Sequence, residues 1–244
     1  MLKEAMQFLA GQAIETTKIQ EVKIDGRRYT DRSLVKQEAP LPEAMQVDTL
    51  TGLCDLILGK VNDLDYSQVL VHVRSPKLVT VESRLPDVWG RRQVHVKAQL
   101  PSYGAFNFGQ YQEQAAFLIQ LQTFFVHGVG DHTALLQIVG KVVADTVDTS
   151  EDDGITQTVT AKKGVALTER KALKPIVELA PWRTFREIEQ PTGQFLLRVQ
   201  REDDADPELA LFVADGEVWQ LEALQRISTY LKYRLSLTNI MVVA

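Results

Sequence analysis

From Asp153 to Gln200 the chain reads as strand after strand, with no helical period between them. Ile155, Gln157, Val159 and Ala161 alternate with Thr156, Thr158 and Thr160, so one strand face is all threonine. Residues 164–167 and 176–179 are further short strand candidates. Residues 182–190 and 194–200 read as a hairpin closed by Pro191-Thr192-Gly193. Elsewhere the helical patterns come in blocks and do not alternate with strands. A doubly wound parallel sheet needs that alternation, so the expected class is α+β, a mostly antiparallel sheet with amphipathic helices in blocks. The expectation is a single domain over 1–244, with a possible subdivision into 1–149 (helix, hairpin and meander) and 150–244 (strands and a C-terminal helix).

Upstream, Leu2, Met6, Leu9 and Ala13 fall on one stripe of an N-terminal helix, read first as packing on the body of the domain and second as an assembly contact. EVKI-DG-RRYT places Asp25-Gly26 between alternating residues, the signature of a type I′ hairpin. Pro40 and Pro42 argue for an irregular stretch over 37–46. Asp48 or Thr49 then caps a helix carrying Leu50, Leu53, Cys54, Ile57 and Leu58, and Gly59 stops it. Residues 68–101 predict a three-stranded meander built on Val69, Val71, Val73, Val79, Val81, Val94 and Val96. Two helices follow, one with Phe117, Leu118, Leu121, Phe124 and Phe125 inward, the other with Leu135, Leu136, Val139, Val142 and Val143 inward. Near the C-terminus, Val218, Leu221, Leu224, Ile227, Leu231 and Leu235 mark a last amphipathic helix, with Trp219 at the edge of its stripe. Residues 239–243 close as a short strand.

Several chemistries are disfavoured. Cys54 is the only cysteine and sits in an apolar stripe, so it reads as a buried structural thiol, without a disulfide or a cysteine-rich zinc site. His72 and His95 share the polar phase of their strands but lack a third ligand. His127 and His132 flank Gly128 and Gly130 in HGVGDH, which lacks the further glycine of a dinucleotide fingerprint and the Lys-Ser/Thr ending of a P-loop. Asp131 is expected to cap the next helix, which would repel an anion. DTSEDDG (148–154) has too few oxygen ligands in register for calcium. No catalytic residue, metal or organic cofactor is therefore expected. Nor is a membrane span, since no apolar run is long enough, and the default compartment is the cytoplasm.

Charge is more informative. The net charge is −5, yet residues 68–99 carry six Lys/Arg against two Asp/Glu, and residues 160–201 carry nine against four. Either these blocks pair with the acidic segments or they form a basic face. In the hairpin register above, Arg186 stands opposite Arg198, with Trp182 in the same phase. Like charges so placed require a carboxylate from another element or an anion between them. Trp182, Arg186 and Arg198 are thus the candidate anion or nucleic-acid contact, with Trp182 available for stacking.

The runs DDGITQTVTAKKGVAL, PIVELAPWRTFREIEQP and ALFVADGEVWQLEALQRISTYL, between residues 152 and 231, resemble the YfdQ-like family of phage and prophage proteins. The resemblance implies a setting among early phage genes for DNA metabolism and transfers no catalytic residues. With the charge pattern, it leads to the expectation of a non-catalytic, homo-oligomeric accessory protein that contacts nucleic acid or replication and recombination proteins. A self-assembling, capsid-like structural protein is the alternative, and an enzyme of unknown class the second alternative.

Overall fold

The computed structural model describes residues 2–17, 21–24, 27–30, 40–87, 90–102, 104–140, 142–147, 158–163, 167–172, 175–200 and 206–244. They fall into two units, 1–41 and 42–244. In the first, helix α1 (Leu2–Thr17) precedes strands β1 (Glu21–Ile24) and β2 (Arg27–Thr30). These pair antiparallel with Ile24 opposite Arg27, so the connection is two residues long, as an Asp-Gly turn requires. The Asp25-Gly26 pair itself lies outside the described residues.

The second unit runs β3 (Met45–Val47), α2 (Leu50–Leu58), β4 (Val69–Ser75), β5 (Leu78–Ser83), β6 (Val94–Gln99), β7 (Gln112–Glu113), α3 (Gln114–Phe124), α4 (His132–Val139), β8 (Val142–Val147), β9 (Thr158–Lys163), β10 (Leu167–Ala172), β11 (Ile176–Leu179), β12 (Gly193–Gln200), β13 (Glu208–Val213), α5 (Trp219–Arg234) and β14 (Met241–Val243). Three sheets result, in the orders β14-β4-β5-β6-β3, β11-β12-β13-β7 and β10-β9-β8. All described pairings are antiparallel except β14 with β4 and β3 with β6, at the two edges of the largest sheet. The fold is α+β, and the meander over β4, β5 and β6 is as the alternation predicts.

Each of the two larger sheets buries one face under a pair of helices. Val69, Val71, Val73, Val79 and Val81 meet Leu50, Leu53 and Ile57 of α2 and Ile227 and Leu231 of α5 in one cluster. Phe117 and Leu121 of α3 and Leu135 and Val139 of α4 cover Val177, Phe195, Leu197, Leu209 and Leu211 in the other. Each such side chain contributes roughly 1.5–3 kcal/mol on burial. Both clusters draw residues from either side of position 150.

Local chemistry explains most element ends, including some the periodicity mispredicts. Thr49, in extended conformation, caps α2 by accepting a hydrogen bond from the Gly52 amide at 3.0 Å. Gly140 ends α4, so Val142 and Val143 leave the predicted helix and start β8. Met45–Val47 forms an edge strand where the two prolines suggested only loop, because pairing begins just past them. Asp131 does not cap α4. Its carboxylate accepts from the Glu178 amide at 2.9 Å while its own amide donates to Glu178 O at 2.8 Å, which ties the HGVGDH turn to the β11 edge. Gly130, at φ +58°, makes that approach possible, since a Cβ there would run into the Glu178 carbonyl. Val218 and Leu221 lie outside the buried stripe of α5, which starts only at Ala223. DTSEDDG lies outside the described residues.

The largest departure concerns residues 182–190, which form no strand. The partners of β12 are β11 and β13: Leu196 stands opposite Ile176 on one side and Phe212 on the other, and Arg198 stands opposite Ala210. Arg186 does not face Arg198, and Pro191-Thr192-Gly193 is not a hairpin turn. Both edges of β12 are taken by β11 and β13, the strands before and after it in the chain, so the segment leading into it has no edge to join.

Candidate anion and nucleic-acid site

Segment 180–190 links the two hydrophobic clusters and is pinned along its length. The Val126 amide donates to Ala180 O and the Trp182 amide to Phe124 O, each at 2.8 Å, which fixes it to the end of α3. Phe185 and Ile188 enter the cluster beneath the five-stranded sheet. Buried Gln190 replaces a strand partner: its Oε1 accepts from the amides of Arg183 and Thr184, and its Nε2 donates to Phe185 O and Ile188 O. The Thr184 hydroxyl donates to Pro76 O, and Glu187 Oε1 accepts from the Thr51 amide in the first turn of α2 at 3.1 Å. Arg226 of α5 donates to Glu189 O at 2.9 Å. An irregular backbone with this many anchors holds its side chains in place.

Trp182, Arg183 and Arg186 of this segment are among the residues that line a cavity of about 490 Å³. Leu100, Pro101 and Phe124 make its apolar walls, and Lys77 adds a third cation. Among the described residues the lining has no carboxylate. Lys77 belongs to the first basic block of the sequence and the two arginines to the second, so folding brings the blocks together here. The Arg186 guanidinium lies 5.3 Å from the centroid of the half-exposed Trp182 ring. It also lines an adjoining cavity of about 350 Å³, with Asp48, Thr49 and Glu187.

Arg183 is the best-built member, and the sequence pattern passed over it. Its guanidinium stacks 4.2 Å from the Trp219 ring centroid and 5.6 Å from that of Phe195. The Asp215 carboxylate stands 3.9 Å away, and both side chains are 11% exposed. Arg183 Nε and Nη2 and Asp215 Oδ2 are buried without a hydrogen-bond partner. Burial lowers the Arg183 pKa to about 10 against the opposing pull of Asp215 and Glu217, so the side chain remains a cation at neutral pH. The pair fits because residue 193 is glycine: a Cβ there would lie 2.5 Å from Asp215 Oδ2 and 2.6 Å from Arg183 Nη2. Trp219 is half-buried at the edge of α5, as its phase predicts. The structure thus joins Trp182 and Arg186, adds Arg183 and Lys77, and leaves Arg198 on β12 away from the lining.

The other candidates are structural. The Glu82 carboxylate is buried on the polar face of the meander. It takes hydrogen bonds from Thr80 and from Arg74 Nε at 2.9 Å, with Arg74 Nη2 at 2.8 Å and His72 Nδ1 at 3.3 Å. Burial alone would raise its pKa, but these donors and charges hold it below the usual carboxylate range. His95 lies 3.1 Å from Ser83 Oγ, and burial lowers its pKa. His132 is buried, stacked 5.1 Å from His127, with Nε2 3.2 Å from Leu121 O. Among the described residues no three His, Cys, Asp or Glu side chains gather as a metal site. Cys54 is fully buried and its thiol pKa is pushed up to about 11, chiefly by desolvation, which makes it a poor nucleophile. Among the described residues no helix is long and apolar enough to cross a membrane. Comparison with protein-family models, curated proteins and solved structures found no match to the chain.

Proposed function

We propose that the protein is a non-catalytic accessory protein, assembled from copies of itself, that contacts nucleic acid through the cavity at residues 182–186. One observation carries this reading: two exposed cations from distant parts of the chain, Lys77 and Arg186, and an exposed-edge tryptophan line a concavity whose described lining has no acid. Phosphates seek that charge, and bases seek that aromatic and apolar surface. The overall charge of −5 would keep anions off most of the molecule and concentrate binding at this place. The resemblance of residues 152–231 to YfdQ-like phage proteins supports a setting in phage DNA metabolism. Self-association is supported by α1, on which Met6, Phe8 and Leu9 remain about two-thirds exposed.

Retention of labelled DNA and RNA at low salt tests the proposal. Wild type is expected to bind with an affinity that falls steeply as salt rises. Lys77→Glu and Arg186→Glu should weaken binding, and Trp182→Ala should cost about 1–3 kcal/mol. Arg198→Glu, outside the cavity, should bind as wild type does. Absence of binding by wild type, or equal binding by folded Arg186→Glu, would refute the site.

A further inference from the structure

Resting on the nucleic-acid reading above, we infer that the cavity takes one unpaired nucleotide of a single strand, its base inserted between apolar walls and its phosphate at the cations. The shape decides this. A duplex offers a convex rail of phosphates, for which a flat or gently grooved basic surface suffices. Here the cations stand around a hollow of about 490 Å³, within the size range of small-ligand sites. Leu100, Pro101 and Phe124 give that hollow apolar walls, which a phosphate alone would leave unfilled. A ligand that satisfies both features has a flat, largely apolar body and an anionic tail, and a nucleotide is such a body. A base within a duplex has both faces stacked and its edge paired, so it must be extruded to enter, whereas a base in a single strand is free to do so.

Lys77 and Arg186 are the exposed cations of the lining and the ones placed to meet the phosphate. The Arg183 guanidinium is buried against Trp219 with the Asp215 carboxylate 3.9 Å away, so its charge is largely matched within the fold.

The test compares three labelled probes of about 15 nucleotides on the full-length protein: a single strand, its duplex, and a strand of the same length made of abasic sugar-phosphate. The single strand should bind at least about tenfold more tightly than either of the others. Ala105→Trp fills the cavity from an exposed lining position and leaves every cation in place. It should remove that advantage and leave duplex affinity unchanged. Equal affinity of wild type for all three probes would overturn the inserted base and leave phosphate contact standing. Failure to retain any probe would overturn both readings. The wild-type comparison needs no variant, so a folding defect in Ala105→Trp does not protect the inference.

Discussion

Gly193 shows how much can rest on the absence of a side chain. The residue starts a strand in ordinary extended geometry, so its value is space: its missing Cβ leaves room for the Arg183–Asp215 pair. Gly193→Ala must displace one of two buried charged groups and is expected to cost about 1–3 kcal/mol, by the usual magnitude of overpacking. Urea denaturation measures this, and an unchanged midpoint would show that the pair shifts without penalty. Glu82 carries a second prediction at this scale. Its pKa is depressed in the fold, so it adds stability above its unfolded value and loses that contribution as pH falls through the folded value. Wild type should therefore exceed Glu82→Gln in stability at neutral pH, and the difference should shrink at pH values below the ordinary carboxylate range. A difference independent of pH would mean that the Glu82 charge is not what stabilises the cluster.

Among the elements, α5 differs most from its periodicity. Its apolar pattern continues from Val218 to Leu235, but full burial begins at Ala223, with Leu224 partly buried and Val218 and Leu221 exposed. Ile227→Ala, at a fully buried position, should cost about 2–5 kcal/mol. Leu221→Ala, at 64% exposure, should stay within about 0.5 kcal/mol. Comparable losses at the two positions in chemical denaturation would mean that the first turn is covered in solution. At the other end of the same cluster, residue type and place narrowed the α2 cap to Asp48 or Thr49, and the structure takes Thr49. Glu187, which accepts from the Thr51 amide of the same helix, was not legible, because 136 residues of chain separate the two.

For the whole molecule, among the described residues every member of both hydrophobic clusters lies beyond residue 41. A protein lacking residues 1–41 should keep its thermal midpoint within about 2–4 °C of the full chain. If α1 is the assembly contact, the truncated protein should also run as a smaller particle in light scattering. Unchanged particle size would place self-association elsewhere, and a collapse of the midpoint would show that the first unit supports the second.

Nearest-neighbour pattern was enough for the α+β class, the valine meander, the two-residue connection of the first hairpin, the α2 cap to within one residue and the burial of Cys54. Each depends on residues a few positions apart: alternation, a turn pair, a cap, a stripe. Strand partnership is different, since β12 alternates correctly whichever strand it joins. Only the three-dimensional structure decided that β11 and β13 occupy its edges, and that choice released residues 182–190 from the predicted hairpin. The same event placed the candidate site. Charge counting marked both basic blocks, but Lys77 meets Arg183 and Arg186 only because one loop spans two cores. Arg183 carries no local signal, since its environment of Trp219, Asp215 and a bare Gly193 comes from positions beyond the reach of a turn or a strand period.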